Sequence, residues 1–114
     1  MNLTGDILRG HTDAIILSLL EHQDSYGYQI NHLISSISEE KFMLTEATLY
    51  TSFKRLEKAG YITSYWREGI NNTKRKYYSI TPSGITYLQN EKENWQKARN
   101  IINKFLGGEN GKKD

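Results

Sequence analysis

Two groups of side chains in this 114-residue chain have the types and spacing to do chemistry, and both suit phosphate and base edges. The first lies at residues 45–58 (TEATLYTSFKRLEK), where Ala47, Thr51, Lys54 and Lys58 share one side at helical spacing, flanked by Tyr50 and Arg55. Hydroxyls and amines of this kind hydrogen-bond to base edges in the major groove, and the cations displace counterions from phosphates. The second is the run Lys74, Arg75 and Lys76. Each group alone has an ordinary reading: an amphipathic surface helix for the first, a solvated strand edge that discourages aggregation for the second.

Other chemistries find no residues to carry them. With no cysteine there is no disulfide and no thiolate metal site, and His11, His22 and His32 lack ligand spacing to one another. No nucleophile–base–orienter grouping, phosphate-binding glycine loop or carboxylate pair is visible, so neither an enzyme nor a cofactor is expected. No apolar run approaches the roughly 18 residues of a membrane span, and the first ten residues (MNLTGDILRG) lack the basic start and apolar stretch of a signal peptide. A cytoplasmic protein without membrane contact is expected, and Asn71–Thr73 then reads as a turn rather than a glycosylation site. Charge is uneven. Residues 1–40 carry one base against six acids, residues 41–80 eight bases against three acids, and residues 81–114 six bases against four acids. A basic middle third is what phosphate binding requires.

The length fits one domain, and local patterns predict its elements. A helix is expected from about Asp6 to Glu21, with Leu8, Ile15, Ile16, Leu19 and Leu20 recurring near helical spacing. A second is expected from Tyr26 to Ser38, capped by Ser25, with Tyr28, Ile30, Leu33, Ile34 and Ile37 as its apolar side. A third begins at the N-cap Thr45, carries Glu46 in its first turn, and ends near Ala59 with Gly60 in the left-handed region. Its inner face is Leu49, Phe53 and Leu56. The β-branched and aromatic stretches 61–67 and 74–81 then form a hairpin around Gly69–Thr73. Thr81-Pro82 starts a last helix running to about Leu106, ahead of a flexible charged tail at 107–114.

Three helices, a basic hairpin and a long helix make an α+β, mainly α, winged helix-turn-helix with a long C-terminal dimerisation helix. In that arrangement residues 1–81 bind DNA and 82–106 pair subunits. The order of elements places the two basic groups close together, which favours DNA binding over a module that kept the fold only for protein interaction. The pairing stripe is Ile85, Leu88, Trp95, Ile102 and Leu106, with Phe105 beside it, and Lys92 and Arg99 interrupt it. Trp66 is expected to pack within the wing.

The combined pattern closely resembles the PadR-like family of bacterial transcriptional regulators. The resemblance rests on Tyr26-Gly27-Tyr28, Leu49-Tyr50, Arg55-Leu56-Glu57 and Gly60-Tyr61-Ile62. It continues through Arg75, Tyr77, Tyr78, Thr81 and Gly84, covering about residues 7–106. It implies a repressor that binds a palindromic operator in double-stranded DNA as a homodimer. Thr48, Tyr50, Thr51, Lys54 and Arg55 of the reader helix and Lys74, Arg75 and Lys76 of the wing are the implied DNA contacts. The stretches ILRG and ENWQKA are similar to a short, multidrug-binding subgroup in which a tryptophan from each subunit lines a central pore for flat aromatic molecules. That similarity implies a small planar aromatic ligand near Trp95, with Ile7, Ala14, Lys92 and Arg99 around it. The alternative is a ligand-independent regulator in which Trp95 is plain interface packing. Where the subgroup has an aromatic and an acidic residue, this chain has Lys92 and Arg99, which implies neutral or anionic ligands rather than cations.

Overall fold

The computed structural model describes residues 7–108. Its first helix is broken. A helical turn at residues 7–9 ends at Gly10 and His11, and α1 then runs Thr12–His22. This corrects the single helix expected from Asp6, which itself lies outside the described residues. The cause is local: glycine is a weak helix former, and the Gly10 and His11 amides close tight turns onto the Ile7 and Leu8 carbonyls. The Thr12 hydroxyl donates to the Arg9 carbonyl at 2.9 Å and satisfies an acceptor the break exposes. From α1, Ile16, Leu17 and Leu20 are buried.

Ser25–Tyr26 form a short strand, β1, and α2 spans Gly27–Ile37. Ser25 is therefore not the expected N-cap. Its backbone pairs with Tyr78, its hydroxyl donates to the Gln23 carbonyl at 3.2 Å, and Tyr26 takes the cap position without a side-chain bond. Ile30 and Ile34 of α2 are buried, whereas Tyr28 and Ile37, expected on the same face, are exposed. The Asn31 amide fixes the approach to the next helix, donating to the Leu44 carbonyl at 2.7 Å and accepting from its N–H at 3.0 Å.

Helix α3 spans Glu46–Lys58 as expected. The Thr45 hydroxyl accepts from the Thr48 amide at 3.1 Å, and Gly60 ends the helix at φ 83°. Strands β2 (Ile62–Glu68) and β3 (Lys74–Ile80) pair antiparallel, Ile62 opposite Ile80 and Glu68 opposite Lys74, in a sheet of order β1-β3-β2. The connecting turn holds Asn71 and Asn72, both at φ 63°, a conformation asparagine tolerates better than most residues.

Helix α4 spans Pro82–Leu106, 25 residues and so about 37 Å long. Its start is locked to the end of α3. The Thr81 hydroxyl accepts from the Gly84 amide at 3.0 Å and donates to the Gly60 carbonyl at 2.7 Å, which the Ser83 hydroxyl also reaches at 3.0 Å. A Cβ at Gly84 would fall onto the Tyr61 carbonyl oxygen. Leu88 is 1% exposed and completes the core around Ile16, Phe53 and Tyr78. This corrects its expected place in a subunit interface, because its side chain is consumed by the protomer's own core. Every residue from Lys92 to Leu106 is exposed. Gly107 and Gly108 end the described chain, and the rest of the expected tail, 109–114, lies outside it. Among the described residues no helix is long and apolar enough to cross a membrane, and no cluster of potential metal ligands forms.

Candidate nucleic-acid interface

Leu49, Phe53 and Leu56 are each buried and press α3 against the sheet, where the Phe53 ring stacks on Tyr78 with centroids 3.9 Å apart. Burial pushes the Tyr78 phenol up to about 12. With that side docked, Ala47, Tyr50, Thr51, Lys54 and Lys58 are left facing outward. The Tyr50 ring lies edge-on to Phe53, and its hydroxyl rests over Gly27, where a Cβ would collide with it. Gly27 thus brings the start of α2 against the reader helix. Thr48 is half-buried, and its hydroxyl accepts from that of Thr45 at 3.0 Å.

Arg55 is engaged in another direction. Its guanidinium binds Asp13 of α1 through two hydrogen bonds, Nε to Oδ2 at 2.9 Å and Nη2 to Oδ1 at 2.7 Å, and Nη2 also donates to Ser52 Oγ at 3.1 Å. The Asp13 hydrogen bond raises the Arg55 pKa. This pair spans 42 positions of sequence and is invisible to local pattern.

Strand alternation divides the wing. One face carries Ile62, Ser64, Trp66 and Glu68 with Ile80, Tyr78, Lys76 and Lys74; its inner end forms core, and the Ser64 hydroxyl donates to Glu57 of α3 at 2.8 Å. The other face carries Tyr65, Arg67, Tyr77 and Arg75. There the Arg75 guanidinium sits 4.6 Å from the Tyr26 ring centroid and that of Arg67 4.4 Å from Tyr77. The Tyr65 hydroxyl donates to Asp24 at 2.6 Å, and that hydrogen bond raises its pKa. Lys74 and Lys76 therefore share a face, and Arg75 lies on the opposite one. Trp66 does not pack within the wing as expected: it is 65% exposed, because the strand has run past the end of α3 by the time it reaches that position.

A separate cleft of about 290 Å³ lies between α1 and α4. Ile7, His11, Ala14 and Ile15 line one wall, Leu88, Glu91, Lys92 and Trp95 the other. The His11 ring meets Trp95 edge-on with centroids 5.4 Å apart. Three of the four residues expected around Trp95 line this cleft, and Arg99 does not. Lys92 Nζ lies 3.0 Å from Glu21 Oε1, so its charge is balanced across the rim. Of the expected pairing residues, Ile85, Trp95, Ile102, Phe105 and Leu106 are exposed.

Compared with known families, residues 16–90 match the model of the transcriptional regulator PadR-like family. The chain belongs to the PadR-like family. A transcriptional regulator of Clostridium thermocellum has a similar structure, with a TM-score of 0.82 and 47% identity over 90% of this chain and 99% of that one. A PadR family regulator from Clostridium difficile R20291 is 35% identical, with a TM-score of 0.72, over 84% of this chain and 98% of its own. An uncharacterised protein of Lysinibacillus sphaericus is 44% identical across 90% of this chain and 94% of its own length. PadR-like membership makes this protein a transcription regulator of the winged-helix class and not an enzyme. The structure adds what the motifs do within that fold: Gly60-Tyr61 and Thr81-x-x-Gly84 are two halves of one joint between the reader helix and α4. Asn31 and the partnership of Asp13 with Arg55 were missed by sequence reasoning because their partners are distant in the chain.

Proposed function

We propose that this PadR-like regulator represses transcription by binding a palindromic operator as a homodimer, with α3 in the major groove and the wing along the flanking backbone. The observation that carries the reading is the division of α3: Leu49, Phe53 and Leu56 are buried while Thr51, Lys54 and Lys58 are exposed on the opposite side, with Tyr50 exposed at its edge. A helix held in this way presents hydroxyls and cations to base edges and phosphates. Residues 1–81 carry this function. Thr48, Tyr50, Thr51 and Lys54 read the groove, Lys74 and Lys76 neutralise phosphates, and Arg75 supports the wing from its outer face. Arg55, held by Asp13, positions the reader helix and completes the set.

Residues 82–106 pair the subunits. Trp95, Ile102, Phe105 and Leu106 leave an apolar stripe on an otherwise bare helix, with Phe105 and Leu106 both 81% exposed, and a second copy of the stripe covers it. The His11–Trp95 cleft, completed at that junction, accepts a planar aromatic molecule whose binding shifts the spacing of the two wings and releases DNA, as in the short multidrug-binding subgroup. With Lys92 paired to Glu21 and Glu91 at the rim, the cleft does not repel cations, so neutral and cationic ligands both fit. This reading places the protein in the cytoplasm, with DNA.

The test is binding of duplex DNA measured by gel shift across a salt series. Affinity is expected to fall steeply between about 50 and 200 mM salt, as counterion release requires. A wild-type protein that binds no duplex at the low end of that range overturns the reading.

A further inference from the structure

The wing face shared by Trp66, Lys74 and Lys76 has a continuous course. At its inner end Ile62 faces Ile80. In the next pair on this face Tyr78 stacks on Phe53 while its partner Ser64 bonds Glu57, and the following position on this face of β2 is Trp66. Its cross-strand neighbour is Lys76, and Glu68 stands opposite Lys74 at the outer end. Directly opposed residues lie about 5 Å apart at Cβ, so the Lys76 stem flanks the indole. The Lys76 ammonium lies 5.8 Å from the Tyr78 ring centroid. An indole left 65% exposed beside it, on the side of the wing that continues from the reader helix, is poorly placed for folding and well placed for a ligand.

The ligand class follows from charge and shape. Two lysines beside an aromatic plane suit a surface that alternates anions with apolar patches, and the DNA backbone does this with phosphates and the C–H faces of deoxyribose. We propose that Trp66 is a DNA contact of the wing: its ring lies on a backbone sugar while Lys76 and Lys74 neutralise the adjoining phosphates. Its Nε1–H, a donor only, reaches a phosphate oxygen. Glu68 reduces the net charge only at the outer end, where it faces Lys74, and the Trp66–Lys76 pair keeps its cation. This inference rests on the DNA-binding reading and extends it to a residue outside the basic set.

Apolar and ionic contacts respond differently to salt, which provides the test. With a labelled mixed-sequence duplex, Trp66→Ala is expected to weaken binding about tenfold at each salt concentration, leaving the slope of log affinity against log salt unchanged. Lys76→Ala is expected to lower that slope by about one. Trp66→Phe keeps most of the affinity. In Trp95→Phe protein Trp66 is the remaining tryptophan of the two, and its emission is expected to shift to the blue as DNA displaces water. The thermal midpoint of Trp66→Ala should match wild type, since the side chain is exposed. Full affinity in Trp66→Ala, or an unshifted emission on saturation with duplex, overturns the proposal and leaves the DNA-binding reading standing. Failure of the wild-type protein to bind duplex removes both.

Discussion

Gly84 and Gly60 are both glycine for reasons that differ, and the difference is measurable. At Gly60 the backbone is left-handed at φ 83° with open space around it, so Gly60→Ala is expected to cost about 1 kcal/mol of conformational energy. At Gly84 the added methyl would meet the Tyr61 carbonyl, part of a backbone held at both ends, so Gly84→Ala should cost more, about 2–3 kcal/mol. Urea midpoints of the two variants check the order. Tyr78 makes a third residue-scale prediction. Burial lifts its phenol from 10.0 to about 12, above its unfolded value, so its contribution is whole below about pH 10 and is lost as pH rises towards 12. Stability should fall through that window, on the order of 3 kcal/mol by its upper end, and less steeply in Tyr78→Phe.

The elements themselves were legible wherever their signals are local. Thr45, Gly60, Thr81 and Pro82 mark helix ends through the chemistry of two or three neighbouring atoms, and the hairpin follows from β-branched and aromatic runs around a turn. What escaped depends on contacts across the chain. Strand β1 is two residues long and has no periodicity to detect; β3 creates it by pairing. Ile37 keeps helical spacing with Ile30 and Ile34 yet is exposed at the end of α2, whereas Tyr28, two positions before Ile30, lies on the other side of the helix and does not belong with them. The Asp13–Arg55 pair joins α1 to α3 across 42 positions. Because Arg55 is largely solvated, Asp13→Asn should cost less than about 1 kcal/mol of stability. Loss of the acid beside the reader helix should tighten DNA binding at low salt and change little at high salt, which anisotropy titrations will show. The two wing faces predict a further contrast: Lys76→Ala should flatten the salt dependence of binding more than Arg75→Ala, whose side chain lies over Tyr26.

At the scale of the whole molecule, α4 serves two surroundings in succession. Gly84 and Leu88 belong to the protomer, and Trp95, Ile102, Phe105 and Leu106 face outward along a molecule 64 Å in its longest dimension. The stripe read from sequence has one period throughout, so nothing in the pattern shows that Leu88 turns inward while the positions beyond it do not. Introducing Glu at both Trp95 and Ile102 should convert dimers to monomers by light scattering. Those monomers should keep the wild-type circular dichroism spectrum, since neither side chain completes the core. The early burial of Leu88 has a consequence for time as well as space. A core closed by residues of one chain forms at a rate independent of protein concentration, and in the homodimer proposed above only the later meeting of two helix ends is second order. Refolding followed by Tyr78 burial should then trace one concentration-independent phase. The signal from Trp95 should lag behind it, by an interval that shortens as the protein is made more concentrated.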